Sequence, residues 1–266
     1  MGGHFIHFNR RDIRLRFPSD PEDPWFKESQ GALGEFDRPR YHITRAVEGP
    51  ATDVGPGDTI WLVGQLYAPW GGRLPATLDA RIDVADVKAR KGGIGYRFAA
   101  ADSSSWFPLT NSTAQLYALE SVARGQDAAL LWKDRKHPIG QYLQRMRKLA
   151  SGEILRAWEA DLQSRPFHFI SYRIRDGSRP AFDCAMRLFS QDVRVFWDRW
   201  SLPRRLAERR ETVRNAPLDK TIEKSIQEAD VVWGIESPLY GVRGSYSARE
   251  RDLAKSLNKY RPVSVG

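Results

Sequence analysis

Four short apolar runs near the C-terminus leave this chain few ways to fold. They are PFHFISYR (166–173), VRVFWD (193–198), DVVWGI (230–235) and YRPVSV (260–265). A segment with helical spacing separates each run from the next. PAFDCAMRLFSQ puts Phe182, Met186 and Phe189 on one side, PLDKTIEKSIQEAD spaces Leu218, Ile222 and Ile226 by four, and SYSARERDLAKSLN follows. Strands that alternate with amphipathic helices must lie parallel, because each helix returns the chain to the same end of the sheet. Ligands of such sheets bind outside the carboxyl ends of the strands. Ser171–Arg173, Asp198–Trp200 and the stretch 236–250 are therefore expected along one edge.

The earlier part of the chain reads differently. HFIHFN, GDTIWLVGQL, ARIDVADVK and KGGIGYRFAAA are β-like runs, divided by loops such as PSDPEDPW and YAPWGGRLP. Strands at this spacing suggest a small barrel or a curved sheet. From residue 126 to 164 the pattern turns helical, with Ile139, Leu143 and Met146, then Ile154, Trp158 and Leu162. The expected fold class is α/β: a C-terminal flavodoxin-like parallel sheet, preceded by a mainly β N-terminal domain and a helical connector. The corresponding division is 1–125, 126–164 and 165–266.

Composition narrows the function classes. A formal charge of +9 favours phosphate-bearing partners, although a merely soluble basic surface fits equally. Cys184 is the single cysteine, so neither an intrachain disulfide nor a cysteine zinc cluster can form. It sits in an apolar helical pattern that suits a buried thiol, and a reducing cytoplasm fits. No apolar run is long enough for a membrane span. MGGHFIHFNRRD has no signal-peptide core, and Ile6 stands where myristoylation expects a hydroxyl residue. A cytoplasmic protein without a membrane partner is expected. The histidines are scattered, so no metal site is expected.

One acidic residue invites two explanations. In SYSARERDLA, Ser247 and Glu250 have the spacing of a capping box, with Ser247 as N-cap and Glu250 reaching back to it. That reading needs no chemistry. The other depends on a likeness to known families.

GDTIWLVGQLYAPWGGRLPATLDARIDV faintly resembles the PUA/EVE-like barrels. The likeness makes Trp61, Trp70 and Trp106 candidates for stacking on a base, and filling of the core is the alternative. Residues 166–266 resemble a Toll/interleukin-1 receptor (TIR) domain. FISYR is similar to the family's first strand motif, and VRVFWDRWSLP to the strand that precedes its variable BB loop. IEKSIQEADVVWGIESPLYGVRGSYSARE is similar to the helix, strand and loop leading to S-W-C-x-x-E. The resemblance implies cleavage of NAD at its nicotinamide–ribose bond, with Glu250 as the catalytic carboxylate. Ser171, Tyr172, Arg173, Asp198, Trp200, Tyr240, Ser245 and Tyr246 would line the NAD site, Arg173 holding the pyrophosphate. No cofactor is required, since NAD is the substrate.

The likeness further implies self-association through the TIR-like domain, control by the N-terminal domain, and a role in bacterial antiviral or stress defence. A nucleotide or nucleic acid is the matching trigger for the N-terminal domain. The product would be ADP-ribose or its cyclic form. A non-catalytic TIR interaction module is one alternative, and binding of nucleic acid or a modified base through the N-terminal barrel is another. Three departures stand out. Tyr246-Ser247 replaces Trp-Cys, SLPRRLAERRE lacks the BB-loop Pro-Gly turn, and the chain stops at Gly266 after a fourth strand where the family has five.

Overall fold

The computed structural model describes residues 2–14, 32–34, 38–67, 73–90, 92–123, 125–133, 138–201 and 216–265. Trp70 and the arginine-rich loop that follows Ser201 lie outside them.

The first part builds a mixed sheet. Its strands are β1 (His4–Arg14), β2 (Ala32–Gly34), β3 (Pro39–Thr44), β4 (Thr59–Tyr67), β5 (Arg73–Ala89), β6 (Tyr96–Ala100) and β7 (Ser105–Trp106). After them come α1 (Thr113–Ala118), the small pair β8 (Glu120–Ser121) and β9 (Ala129–Leu130), α2 (Ile139–Tyr142), β10 (Arg147–Lys148) and α3 (Glu153–Leu162). The sheet order is β10-β1-β4-β5-β6-β3-β2, with β7 beside β5. β1 and β4 are parallel, and β5 pairs with β4 through its first half and with β6 through its second. Among the described residues no pairing joins β10 to β2, so the path is open and not a closed barrel. Asp58, of the Gly-Asp turn before β4, fixes the entry by accepting from the Gly3 amide at 2.6 Å and the Gly55 amide at 2.8 Å.

Among the described residues, Trp61, Trp158, Trp197 and Trp200 fill the core. Trp61 is fully buried and stacks on Phe107, which meets Trp158 of α3 edge-on at 5.2 Å. A ligand-stacking role for Trp61 is thereby overturned, because its faces are already occupied. Trp106 is only partly buried against the neighbouring core cluster.

The helical connector also needs correction. Within 126–164 only α2, a single turn, and α3 are helical among the described residues, while β10 joins the N-terminal sheet. Leu155, Trp158 and Leu162 pack with Ile6 and Trp61. The spacings of four and three over 139–146 reflect side chains placed by a turn and its flanks, Ile139 and Leu143 in that cluster and Met146 in the neighbouring one, not one continuous helix.

The second part is a four-stranded, wholly parallel sheet covered on both faces. Its elements are β11 (Phe167–Tyr172), α4 (Ile174–Ser190), β12 (Arg194–Phe196), α5 (Asp198–Ser201), α6 (Ala216–Glu228), β13 (Val231–Glu236), α7 (Tyr246–Ser256) and β14 (Tyr260–Ser264). The strand order is β12-β11-β13-β14. Strand alternation sends Ile170, Tyr172 and Ile235 to the α4 side and Phe167, Phe169 and Val232 to the side of α6 and α7. α4 begins at Ile174, six residues before the expected start at Pro180, which lies inside the helix. Cys184 is buried on its inner face, and burial pushes its thiol up.

The two edges of this sheet are managed differently. Leu109, from the N-terminal part, bonds twice to Val195 of β12 at 3.1 and 2.9 Å, as an antiparallel bridge. The Trp200 indole donates to the Phe107 carbonyl beside it, at 3.1 Å. At the other edge, Val232 donates to the Lys259 carbonyl at 2.9 Å. Alternation then turns the backbone N–H and C=O positions of residues 260, 262 and 264 to the open edge, and Pro262 offers no N–H to a further strand.

Candidate functional site at the carboxyl edge of the parallel sheet

Glu250 is not a helix cap. Ser245 occupies the N-cap position of α7, its Oγ accepting from the Ala248 amide at 3.1 Å. Ser247 is already inside the helix, so the expected Ser247–Glu250 capping box does not form. Two serines two residues apart both satisfy the sequence pattern, and the earlier one takes the position. Glu250 turns to the sheet, where its Oε2 accepts from Ser171 Oγ at 2.6 Å. Ser171 itself accepts from the Tyr240 hydroxyl at 3.0 Å. Ser171 is the last but one residue of β11 and Tyr240 follows β13, so the contact forms where neighbouring strands send their connections to opposite faces, the usual ligand position in such sheets.

The electrostatics favour a proton on Glu250. Burial, more than anything else, pushes its carboxyl up to about 7, with a smaller push from the Asp198 charge. The Ser171 hydrogen bond and Arg249 oppose the shift. Burial likewise raises the Tyr240 phenol.

A second cluster lies on the α4 side of the same edge. The Tyr172 hydroxyl donates to Asp198 Oδ1 at 2.6 Å and accepts from Arg199 Nε at 3.2 Å. Arg199 is 1% exposed, an unusual place for a guanidinium, and its bond to Tyr172 helps hold it there. Burial raises the Tyr172 phenol well above its ordinary range. Asp176, in the first turn of α4, accepts from Ser237 Oγ at 2.8 Å and from the Leu239 amide at 2.7 Å. These bonds anchor the loop that delivers Tyr240.

Glu250 opens onto a crevice of about 340 Å3 between α6 and α7. Ile222, Ile226 and Leu253 contribute apolar wall, and Asp219, Glu223, Tyr246 and Arg249 contribute polar groups. The Arg249 guanidinium lies 4.4 Å over the Tyr246 ring. The crevice thus combines an apolar surface, an aromatic face, a cation and an enclosed carboxyl group.

The structure brings Ser171, Tyr240 and Glu250 into direct contact, and Tyr172 with Asp198 into a neighbouring one. Ser245 caps the helix that carries Glu250, and Tyr246 lines the crevice. Arg173 is partly buried at the start of α4. Trp200 does not line the site: it is 1% exposed, within the core under α4 and bonded to Phe107. Sequence reasoning missed Asp176 and Arg199. Asp176 lay ahead of the helix expected from Pro180, so its first-turn position was hidden, and nothing local marks Arg199 as buried. No cluster of three metal-binding side chains occurs among the described residues. Compared with known proteins, the chain matches no family model, no curated protein and no solved structure.

Proposed function

We propose that this protein cleaves NAD at the nicotinamide–ribose bond, with Glu250 as the catalytic carboxylate. The strand order and the motifs that resemble a TIR domain support a flavodoxin-like, TIR-like reading of residues 165–266. The observation that carries the proposal is the freed, enclosed Glu250 carboxyl, at the carboxyl edge and open to the α6–α7 crevice. Nicotinamide in NAD is already cationic and leaves as a neutral molecule, so departure requires no general acid. The ribose it leaves behind gains oxocarbenium character, which an ionised carboxylate stabilises at short range. A carboxyl group with its midpoint near 7 is partly ionised at neutral pH and can also take a proton from the attacking water.

The N-terminal part is the regulatory element in this reading, acting through its contacts with β12 and Trp200. The test is nicotinamide release from NAD by the purified protein, over a range of protein concentrations, beside Glu250→Gln. Release by the native protein alone is expected, rising steeply with concentration if self-association activates it. Equal release by both proteins would remove Glu250 from the chemistry. No release at any concentration would favour a TIR-like interaction module.

A further inference from the structure

Glu250 is the inner end of a row of hydroxyl groups. Ser171 donates to it at 2.6 Å, and Tyr240 donates to Ser171 at 3.0 Å. Tyr260 donates to Glu236 Oε1 at 3.0 Å, and the Tyr240 and Tyr260 phenols act on each other electrostatically with no hydrogen bond between them. Glu236, the last residue of β13, is exposed. The row Glu250–Ser171–Tyr240–Tyr260–Glu236 therefore has a carboxyl group at each end, one enclosed and one in solvent.

The backbone makes room for this row. Val232, Gly234 and Glu236 share the α7 side of β13 by strand alternation. The Tyr260 ring lies across Gly234, where an added Cβ would come within 2.3 Å of the phenol oxygen. Any larger residue at 234 would displace the ring. A glycine inside a strand often marks such a close approach.

Counting protons gives the row a function. It has three hydrogen bonds, one unbonded junction between Tyr240 and Tyr260, and three hydroxyl protons. With both carboxyl groups ionised, Ser171 serves Glu250, Tyr240 serves Ser171 and Tyr260 serves Glu236. The Tyr240–Tyr260 junction is then left without a hydrogen. One added proton fills it. A protonated Glu250 donates to Ser171 and turns each hydroxyl towards Glu236; a protonated Glu236 turns each of them the other way. The two filled arrangements differ only in hydroxyl rotation and in the carboxyl group that holds the proton.

We propose that Ser171, Tyr240 and Tyr260 relay protons between Glu250 and Glu236, connecting the enclosed carboxyl to solvent along the sheet edge. The use of this relay rests on the NAD-cleaving reading. The C1′–N bond breaks and its electron pair goes to the nicotinamide nitrogen; water oxygen then bonds to C1′. One water proton is left over, since NAD and water yield ADP-ribose, neutral nicotinamide and a proton. Glu250 takes that proton, and the row returns it to solvent at Glu236 while ligand fills the crevice. Other charged groups act along the row: Asp198 and Arg249 on the Glu250 carboxyl, with Asp219 and Glu223 across the crevice, and Arg251 on the Tyr260 phenol.

The test is a direct titration of Glu250. Protein labelled with 13C at glutamate side-chain carboxyls is followed by NMR against pH, Glu250→Gln identifying the resonance. Tyr260→Phe removes the outer hydroxyl and keeps the Glu236 charge, so protonated Glu250 loses its filled row. Glu236→Gln supplies an amide donor that fills the row with Glu250 ionised. Both variants are expected to lower the Glu250 midpoint by about one unit, the worth of roughly one hydrogen bond. An unmoved midpoint in both, with circular dichroism intact, overturns the relay. The titration needs no NAD, so it stands apart from the proposed reaction. If the native protein cleaves NAD, both variants lower kcat and leave KM unchanged; a shifted titration without NAD cleavage keeps the relay and overturns only the reaction.

Discussion

Replacing Glu250 by glutamine should make the fold more stable, and increasingly so as pH rises. The unfolded carboxyl ionises around 4.5, the folded one at about 7. Between those values the native state keeps a proton that the unfolded state has released, so stability falls with rising pH across that window. At 1.36 kcal/mol per unit the full cost has an upper bound of about 3 kcal/mol, present above the folded midpoint. At pH 5 the same arithmetic leaves under about 1 kcal/mol. Glutamine keeps the shape and still accepts from Ser171, but never ionises. Its advantage over the native protein should therefore grow by about 2 kcal/mol from pH 5 to pH 8. Urea unfolding of both proteins at the two pH values, followed by far-UV circular dichroism, reads this directly. A difference that stays constant, or a variant that loses stability at pH 8, would refute the reasoning and return Glu250 to an ordinary structural role. A catalytic group held at the expense of stability is the pattern expected of functional sites.

Other perturbations probe the supports of the site. Asp176→Ala removes two bonds to the loop carrying Tyr240, so hydrogen exchange at the Leu239 amide should accelerate strongly, by a factor reflecting about 2 kcal/mol. Trp200→Phe leaves the buried Phe107 carbonyl without its donor and should cost about 1–3 kcal/mol in thermal or urea unfolding. In the N-terminal sheet His7 Nδ1 lies 2.7 Å from His42 Nε2, and burial lowers the His7 midpoint from 6.5 to about 4. Unfolding releases His7 to bind a proton between those values, so that sheet should lose stability as pH falls from 6.5 to 4; His7→Phe should flatten the dependence in tryptophan-fluorescence melts.

The alternation of strand and helix in the C-terminal part was legible because it follows from burying short apolar runs, a local property. The parallel arrangement of the sheet and the gathering of Ser171, Asp198, Tyr240 and Glu250 near one edge follow from that alternation, whereas the strand order does not. Contacts were not legible in the same way. Ser171 and Glu250 are 79 residues apart, and no local pattern announces their bond. The sequence offered instead a nearby partner for Glu250, Ser247, which loses the cap position to Ser245. Pro180 read as the start of a helix, whereas α4 begins at Ile174 directly after β11, with Asp176 in its first turn holding the Ser237–Leu239 loop. Trp200 had the motif position of a site residue, but its indole N–H found a carbonyl in the other half of the chain. Gly234 carried a usable signal, since glycine within a buried strand implies that something lies close.

The Leu109–Val195 bridge changes what it means to divide this chain. The rung that completes the outer flank of β12 is supplied from before residue 110, and the indole beside it is fastened there too. A fragment starting near residue 165 would carry an unclothed strand and a tryptophan stripped of its acceptor, and would be prone to pair with itself. Clustering by such a fragment would report a wound made by the cut, and could be mistaken for the assembly of the whole protein.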